Sequence, residues 1–310
     1  MRFALRVHQG GWQFAQLRAC WQEAERLGYD GASLNDLLGV DGPECWTALT
    51  ALAAATERLV SIPLVLSAPY RHPALVAKMA ATLDQATGGR VLLGLGAGGS
   101  GSDARAFGVP WAPLRARVEA LEEAVDVMRL LWAGGGTYAG QHYQLADAKG
   151  SPQPAQEGGP PILIGGHGSR YLLPAVARKA DLCNIGFDLD VAGWGRQRAL
   201  LDGLAREAGR EPGAVGLTHN ATVLVAEDER GVDAAVARLA LARGRTPEEL
   251  RARLGSAVVG TPAQIIERLR ALEGAGIAWV FLVFPELPSL DGVRLFGEAV
   301  LPAFAEDDAA

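Results

Sequence analysis

The chain predicts an α/β fold, a single closed (β/α)8 barrel of the TIM type with inserted loops, on three grounds. Short apolar runs alternate with helical patterns eight times, which makes the strands parallel, and eight repeats favour a closed barrel over an open sheet. No stretch of linker composition divides the chain, so residues 1–310 read as one domain. With 49 % hydrophobic and 21 % charged residues, the chain also has the core material that such a barrel needs.

Residues 2–7 read as the first strand, and 12–27 as a helix with Leu17, Cys20, Trp21, Ala24 and Leu27 at helical spacing before Gly28 ends it. A second strand at 30–34 closes on Asn35 and Asp36, an alanine-rich helix follows at 43–56, and 59–66 is the third strand. Pro73 opens a helix to about residue 86 at its favoured first-turn position, and Gly88 and Gly89 stop it. Strand four is the apolar run 91–95. Its helix carries Leu114, Val118, Leu121, Val125, Met128 and Trp132 on one stripe.

Between residues 134 and 161 the pattern breaks into Gly, Pro and polar residues, which reads as an insertion with a small hairpin lying over one end of the core. Order resumes with a strand at 162–164, a glycine loop, a helix to about 179, a strand at 181–186 and a helix at 191–208. Strand seven lies within 214–225, residues 233–242 are helical, and a helical insertion runs to Gly255. Thr261 and Pro262 cap the next helix, 277–284 is the last strand, and a terminal helix ends near Phe304.

Charge and composition narrow the partners. A net charge of −6 and a pI near 5.5 argue against coating nucleic acid or an anionic membrane. No apolar run approaches the roughly 20 residues of a membrane span, and the first residues read as a strand rather than a secretory signal. Cys20, Cys45 and Cys183 are odd in number, far apart and set in apolar patterns, so they read as core thiols with no metal spacing. The expected setting is the cytoplasm and the expected partner a small organic molecule.

In a barrel of this type ligands bind where the strands end, so the loops after the strands hold the candidates. The densest is the glycine-rich stretch after strand four, where Gly96, Ala97 and Gly98 lead into Gly99, Ser100 and Gly101. Residues without Cβ let a flat ligand or a phosphate approach the backbone, although a tight strand-to-helix turn needs them equally. The loop Gly165, Gly166, His167, Gly168 and Ser169 has the composition of a phosphate cradle, with backbone N–H groups and a helix N-terminus behind them. A plain helix cap by Ser169 explains the same residues. His8, at the end of strand one, is a candidate acid or base or a structural hydrogen-bonder. Asp36 is a candidate contact to a ring or a catalytic water, or a local cap. No hydrolase triad, paired glycosidase acids or His-x-x-x-His metal site emerges.

Several segments, in order, resemble the bacterial luciferase-like monooxygenases, especially the deazaflavin-dependent branch. They are Ala24-Glu25-Arg26-Leu27-Gly28-Tyr29-Asp30, the run 44–58 from Glu44-Cys45-Trp46 to Thr56-Glu57-Arg58, the run 70–84 that begins Tyr70-Arg71-His72-Pro73, residues 89–98, residues 160–166, and Ala180-Asp181. The likeness covers about residues 1–225. It implies the same barrel and an oxidoreductase that transfers hydride between coenzyme F420 and a small organic substrate. The alternatives are an FMN-dependent monooxygenase and a non-catalytic flavin-binding protein.

The resemblance also implies a coenzyme across the strand ends. Gly96, Ala97 and Gly98 would lie beside its ring or tail, and Gly165, Gly166, His167, Gly168 and Ser169 at its phosphate. A bulge within Val65, Leu66 and Ser67, often with a non-proline cis peptide in this family, would support the ring from behind. It further suggests a homodimer, for which the helix at 43–56 offers a face, although internal packing explains its alanines as well. The chain departs from the family where many members carry Asp-His after strand two, because here the pair is Asp36-Leu37.

Overall fold

A computed structural model describes residues 1–305 except 167, 188 and 256. In chain order the elements are β1 (Arg2–Val7), α1 (Phe14–Arg26), β2 (Gly31–Leu34), α2 (Cys45–Ala53), β3 (Val60–Pro63), β4 (Leu66–Ser67), α3 (Pro73–Thr87), β5 (Leu93–Gly96), α4 (Gly101–Ala106) and α5 (Leu114–Trp132). They continue with β6 (Gly135–Ala139), β7 (Gln144–Lys149), β8 (Ile162–Gly165), α6 (Leu172–Lys179), β9 (Leu182–Phe187), α7 (Val191–Glu207) and β10 (Gly216–Val225). The chain ends with α8 (Glu229–Ala242), α9 (Pro247–Leu254), β11 (Val258–Gly260), α10 (Pro262–Gly274), β12 (Ile277–Val283) and α11 (Asp291–Ala299).

The parallel strands pair in the order β3-β2-β1-β12-β10-β9-β8-β5-β4. A bridge between Ser61 and Val91 joins the two ends, closing the wall. Because β3 and β4 are two pieces of the third stave, the barrel has the eight staves that the alternation predicts. The break itself is the difference: the stave pairs with β2 up to Pro63 and with β5 from Leu66 onward. A non-proline cis peptide at Leu64–Val65 lies at the break.

Two-residue alternation decides what each stave shows to the inside. In β1, Phe3, Leu5 and Val7 join the core between staves and helices, whereas Ala4 joins the barrel interior. The lower interior is packed by Ala4, Ile62, Leu64, Leu92, Leu163, Trp279 and Phe281. The rings of Trp279 and Phe281 stack 6.2 Å apart, and the Arg2 guanidinium lies 5.5 Å from the Trp279 ring. Apolar filling therefore stops partway up, and polar side chains take over toward the mouth.

The turns at the opposite end are structural. Glu25 accepts hydrogen bonds from the backbone N–H groups of Glu57, Arg58 and Leu59, and Arg90 donates to the carbonyls of Leu59 and Thr56. Helix α3 starts at Pro73 with His72 accepting from Ala74 N, and Gly88 ends it at φ +66°.

The insertion contains the hairpin β6–β7, and its second half reaches the lower end of the barrel, where Gln156 donates to the Val91 carbonyl at 2.9 Å. The hairpin lies along the flank of α3 and α5, where Glu123 of α5 accepts from the N–H groups of Gln141, His142 and Tyr143. Buried Asp84 of α3 holds Gln156, and Tyr143 meets His72 edge-on at 5.3 Å. Its half-buried Tyr138, Tyr143 and Leu145 find apolar cover on that flank, which explains the placement. β11 is a further strand that the pattern does not announce, paired with the projecting end of β10. Helix α2 turns Cys45, Trp46, Ala48, Leu49, Leu52 and Ala53 inward, so internal packing accounts for its apolar face. All three cysteines are free and buried, and among the described residues no helix is long and apolar enough to cross a membrane.

Candidate active site

The mouth is built on a continuous polar floor that crosses four staves. Asn184 on β9 and Asn220 on β10 exchange amide hydrogen bonds, Asn220 Nδ2 reaching Asn184 Oδ1 at 2.8 Å. Thr218 Oγ1 accepts from Asn184 Nδ2 at 2.8 Å and donates to the Cys183 carbonyl at 3.0 Å. From β1, Arg6 donates to Asn220 Oδ1 at 2.7 Å and to Asn35 Oδ1 at 3.3 Å. Asn35 continues the chain, its Nδ2 lying 2.9 Å from His8 Nδ1, while the Gln9 side chain clamps its backbone at N and O. Burial lowers the Arg6 pKa to about 10, and the amide oxygens around the guanidinium partly replace its water.

His8 is exposed at the mouth with its ring tied to Asn35. Partial burial in the rim, and after it the Arg6 charge, hold it below the usual histidine range. Asp36 is placed differently from the sequence expectation of a ring or water contact. Its side chain is 2 % exposed and accepts from the Ser67 backbone at 2.9 Å and from both Arg71 terminal nitrogens, at 2.7 and 3.0 Å. Arg71 also binds Glu44 at 2.6 Å, and Glu44 caps α2 through Trp46 N and Thr47 N. Burial opposes the Arg71 charge, but the bonds to Asp36 and the two carboxylates hold its pKa above the usual value. One guanidinium thus locks the end of β2, the start of α2 and the piece of stave at β4.

The glycines after strand four have a more specific use than general backbone access. A Cβ on Gly94 would run into the Pro63 carbonyl, and one on Gly96 would come within 2.7 Å of Val65 Cγ2. One on Gly165 would come within 2.8 Å of Val65 Cγ1, so β5 and β8 form a trough that seats Val65 of the broken stave. Gly98 and Gly101 press against Trp111, at 2.7 and 2.8 Å from a notional Cβ, whereas Gly99 faces open space. The Arg117 guanidinium stacks on Trp111 at 3.9 Å and donates to the carbonyls of Ala97 and Gly98, at 2.5 and 2.8 Å. The loop is therefore pinned rather than loose. Leu66 is buried beside it, and the buried Ser67 hydroxyl has no partner in hydrogen-bond geometry, with the Tyr70 phenol alongside.

At the glycine loop after β8, Gly166 and Gly168 take φ values of +131° and +134°, which suit only glycine. Ser169 does not cap the helix. The cap position of α6 is Tyr171, which makes no side-chain capping bond; the Leu173 N–H donates to the Gly168 carbonyl at 3.1 Å and Pro174 has no N–H, so the first turn is largely committed within the chain. Gly168, Ser169 and Arg170 are exposed there, and nothing lies within 4 Å of a Cβ on Gly168. The Gly166 N–H is already committed to the Asn184 carbonyl at 2.9 Å. His167 lies outside the described residues.

The exposed loop Gly168–Arg170 leaves open space for an anionic group, and the buried Ser67 hydroxyl beside Tyr70 offers a polar atom behind the strand ends, so these residues fit a coenzyme with an anionic tail. Sequence reasoning missed Arg6, Asn184, Trp111 and Arg117. Arg6 had a readable signal, since it breaks the apolar run of β1 on the inward parity shared with Ala4. Trp111 and Arg117 had none, because their role depends on the path of a loop. Two cavities, of about 590 and 610 Å³, lie between α8 and α10 and between α8 and α11, the second lined also by Pro285 and Glu286 after β12.

Comparison with known proteins gives concordant findings. A family model described as luciferase-like monooxygenase matches residues 1–278. An FMNH2-dependent dimethylsulfone monooxygenase of Pseudomonas putida is 29 % identical over 332 residues, covering 95 % of this chain and 89 % of that protein. An F420-dependent glucose-6-phosphate dehydrogenase of Intrasporangium calvum is 28 % identical over 317 residues, covering 90 % and 91 %. The solved structure of a coenzyme F420-dependent tetrahydromethanopterin reductase from Methanopyrus kandleri covers 98 % of this chain and 99 % of its own, with a TM-score of 0.79. At 20 % identity that likeness concerns the fold.

Proposed function

We propose, on the premise that the chain belongs to the luciferase-like monooxygenase family, that it is an oxidoreductase transferring hydride between coenzyme F420 and a small organic substrate at the barrel mouth. The observation that carries this reading is the broken third stave, which seats Val65 in the Gly94, Gly96 and Gly165 trough and stands where the resemblance puts the support for a coenzyme ring. The coenzyme, when bound, supplies the hydride chemistry. The protein binds, orients and shields it.

In this reading Val65, Leu66 and Ser67 back the ring, the pinned segment Gly96, Ala97 and Gly98 forms a side wall, and Ser67 offers its unpartnered hydroxyl. Gly168 and Ser169 take the anionic tail before α6, with Arg170 adding charge, while Gly165 seats Val65 and the Gly166 N–H holds the Asn184 carbonyl. Asp36 acts as a positioning residue, because its carboxylate is occupied by Ser67 N and Arg71. His8 and the Arg6 floor face the substrate.

The FMN-dependent monooxygenase is the second reading, favoured by the name of the full-length Pseudomonas putida relative. Within either reading the protein works on a small molecule in the cytoplasm, consistent with its free, buried thiols. Stopped-flow oxidation of the reduced coenzyme by candidate substrates tests the proposal: hydride transfer in single turnover is expected, and tight binding with no turnover would favour a non-catalytic binding protein.

A further inference from the structure

We infer that His8 works as a neutral hydrogen-bond donor through Nε2–H, and that Arg6 and Asn35 are the positioning residues that hold it in that tautomer. The two ends of the Asn35 amide are assigned by partners of fixed polarity. Arg6 can only donate, so the atom it meets at 3.3 Å is the amide oxygen. The Val7 carbonyl can only accept, so the atom 3.4 Å from it is the amide nitrogen. Both partners give the same orientation. The NH2 end therefore points at His8 Nδ1, 2.9 Å away, and Nδ1 must be the acceptor.

A neutral imidazole with a lone pair on Nδ1 carries its proton on Nε2. Adding a second proton at Nδ1 would set two donors against each other, beside a guanidinium on the same strand. Arg6 is the charged group whose field reaches His8 from β1. The neighbouring β2 end presents Asn35 and Asp36, and the Asp36 charge is taken up by Arg71 and the Ser67 N–H. The loop before α1 presents Gln9, which is neutral and bound to Asn35.

The ring is exposed, and among the described residues Nε2 has no partner, so its N–H is presented to the mouth. A neutral imidazole N–H is a poor proton donor but an effective electrophile, able to polarise a carbonyl and steady the oxyanion that grows as hydride arrives. The ring is neutral before and after: the reduced coenzyme would give up the hydride and be oxidised, the carbonyl would be reduced, and water at the open mouth would protonate the resulting alkoxide. This replaces the acid or base expected of His8 from the sequence, and it answers the departure at Leu37: the chain supplies an N–H to the mouth from strand one. The identity of the acceptor rests on the proposed function, whereas the tautomer does not.

The test is NMR of the full chain, without coenzyme, labelled with 15N at histidine, His8 being assigned by its loss in His8→Gln among the five histidines. The expected spectrum at pH 7.5 shows Nε2 protonated and Nδ1 bare, with a titration midpoint below 6.5. Asn35→Asp replaces the donor by a carboxylate acceptor, and is expected to move the proton to Nδ1 and raise the midpoint by about 1 unit or more. A wild-type ring that is Nδ1-protonated or charged at pH 7.5 would overturn the inference, as would Asn35→Asp with tautomer and midpoint unchanged. Should Asn35→Asp not fold, the wild-type spectrum decides alone. Failure of the protein to bind either coenzyme would overturn the proposed function and leave this result standing.

Discussion

Replacing Asp36 by Asn removes one negative charge from a buried junction while changing almost no volume. The wild-type carboxylate accepts three hydrogen bonds, from Ser67 N and from two nitrogens of Arg71. An amide can present only one oxygen, so its NH2 end must face either a backbone N–H or a guanidinium, donor against donor. Breaking a buried ion pair from one side costs about 3–5 kcal/mol. Arg71 keeps Glu44 at 2.6 Å and is itself 15 % exposed, so a loss of about 3 kcal/mol, the lower end, is expected. Denaturant unfolding should show the midpoint falling with the slope unchanged. A double-mutant cycle with Arg71→Met should return a coupling of about 2 kcal/mol. Because Ser67 N is one of the three donors, coenzyme affinity should fall at least about tenfold, which corresponds to 1.4 kcal/mol. A stability loss under about 1 kcal/mol, with coupling near zero, would refute the assignment of this junction as the lock between β2 and β4.

Three further outcomes follow from the same geometry. His219 is fully buried, its Nδ1 accepts from Trp194 Nε1 at 3.0 Å, and burial pushes its pKa down to about 4. The unfolded chain then binds more protons between pH 6.5 and about 4, so stability is complete above 6.5 and falls by up to about 3 kcal/mol as the pH drops through that window; His219→Gln should flatten this slope in acid unfolding curves. Gly94→Ala should destabilise by about 3 kcal/mol or more, because its Cβ meets the Pro63 carbonyl, whereas Gly99→Ala should stay within about 0.5 kcal/mol; thermal melts of the two variants check the contrast. Arg117→Ala should cost about 1–2 kcal/mol in unfolding and weaken coenzyme binding about tenfold by releasing the carbonyls of Ala97 and Gly98, with Arg117→Lys restoring only part because an ammonium lacks the fork that both stacks and bridges.

The barrel was legible because its signals are local. Apolar runs, Pro73 at a helix start and Gly88 at a helix end each report their own neighbourhood, and their alternation carries the topology. The insertion was legible as an insertion but the seat of its hairpin was not, since nothing in residues 134–161 states that Glu123 will take three of its N–H groups. The site divides the same way. Glycine content marked the right loops, yet a glycine reads alike whether a ligand or Val65 fills the space, and only the fold shows which. Asp36 was visible as a strand-end acid, but its partner Arg71 lies 35 residues on, so its commitment could not be read along the chain. The floor of Arg6, Asn184 and Asn220 joins residues more than 200 positions apart, and the alternation in β1 was its one local trace.

The central claim, a coenzyme-binding mouth that prefers the deazaflavin, is tested most directly by fluorescence titration of the purified chain with coenzyme F420 and, separately, with FMN. Saturable F420 binding is expected at one site per chain, at least about tenfold tighter than FMN, and abolished or strongly weakened in Asp36→Asn. Binding of FMN in preference to F420 would reverse the choice of coenzyme, and binding of neither would contradict the account.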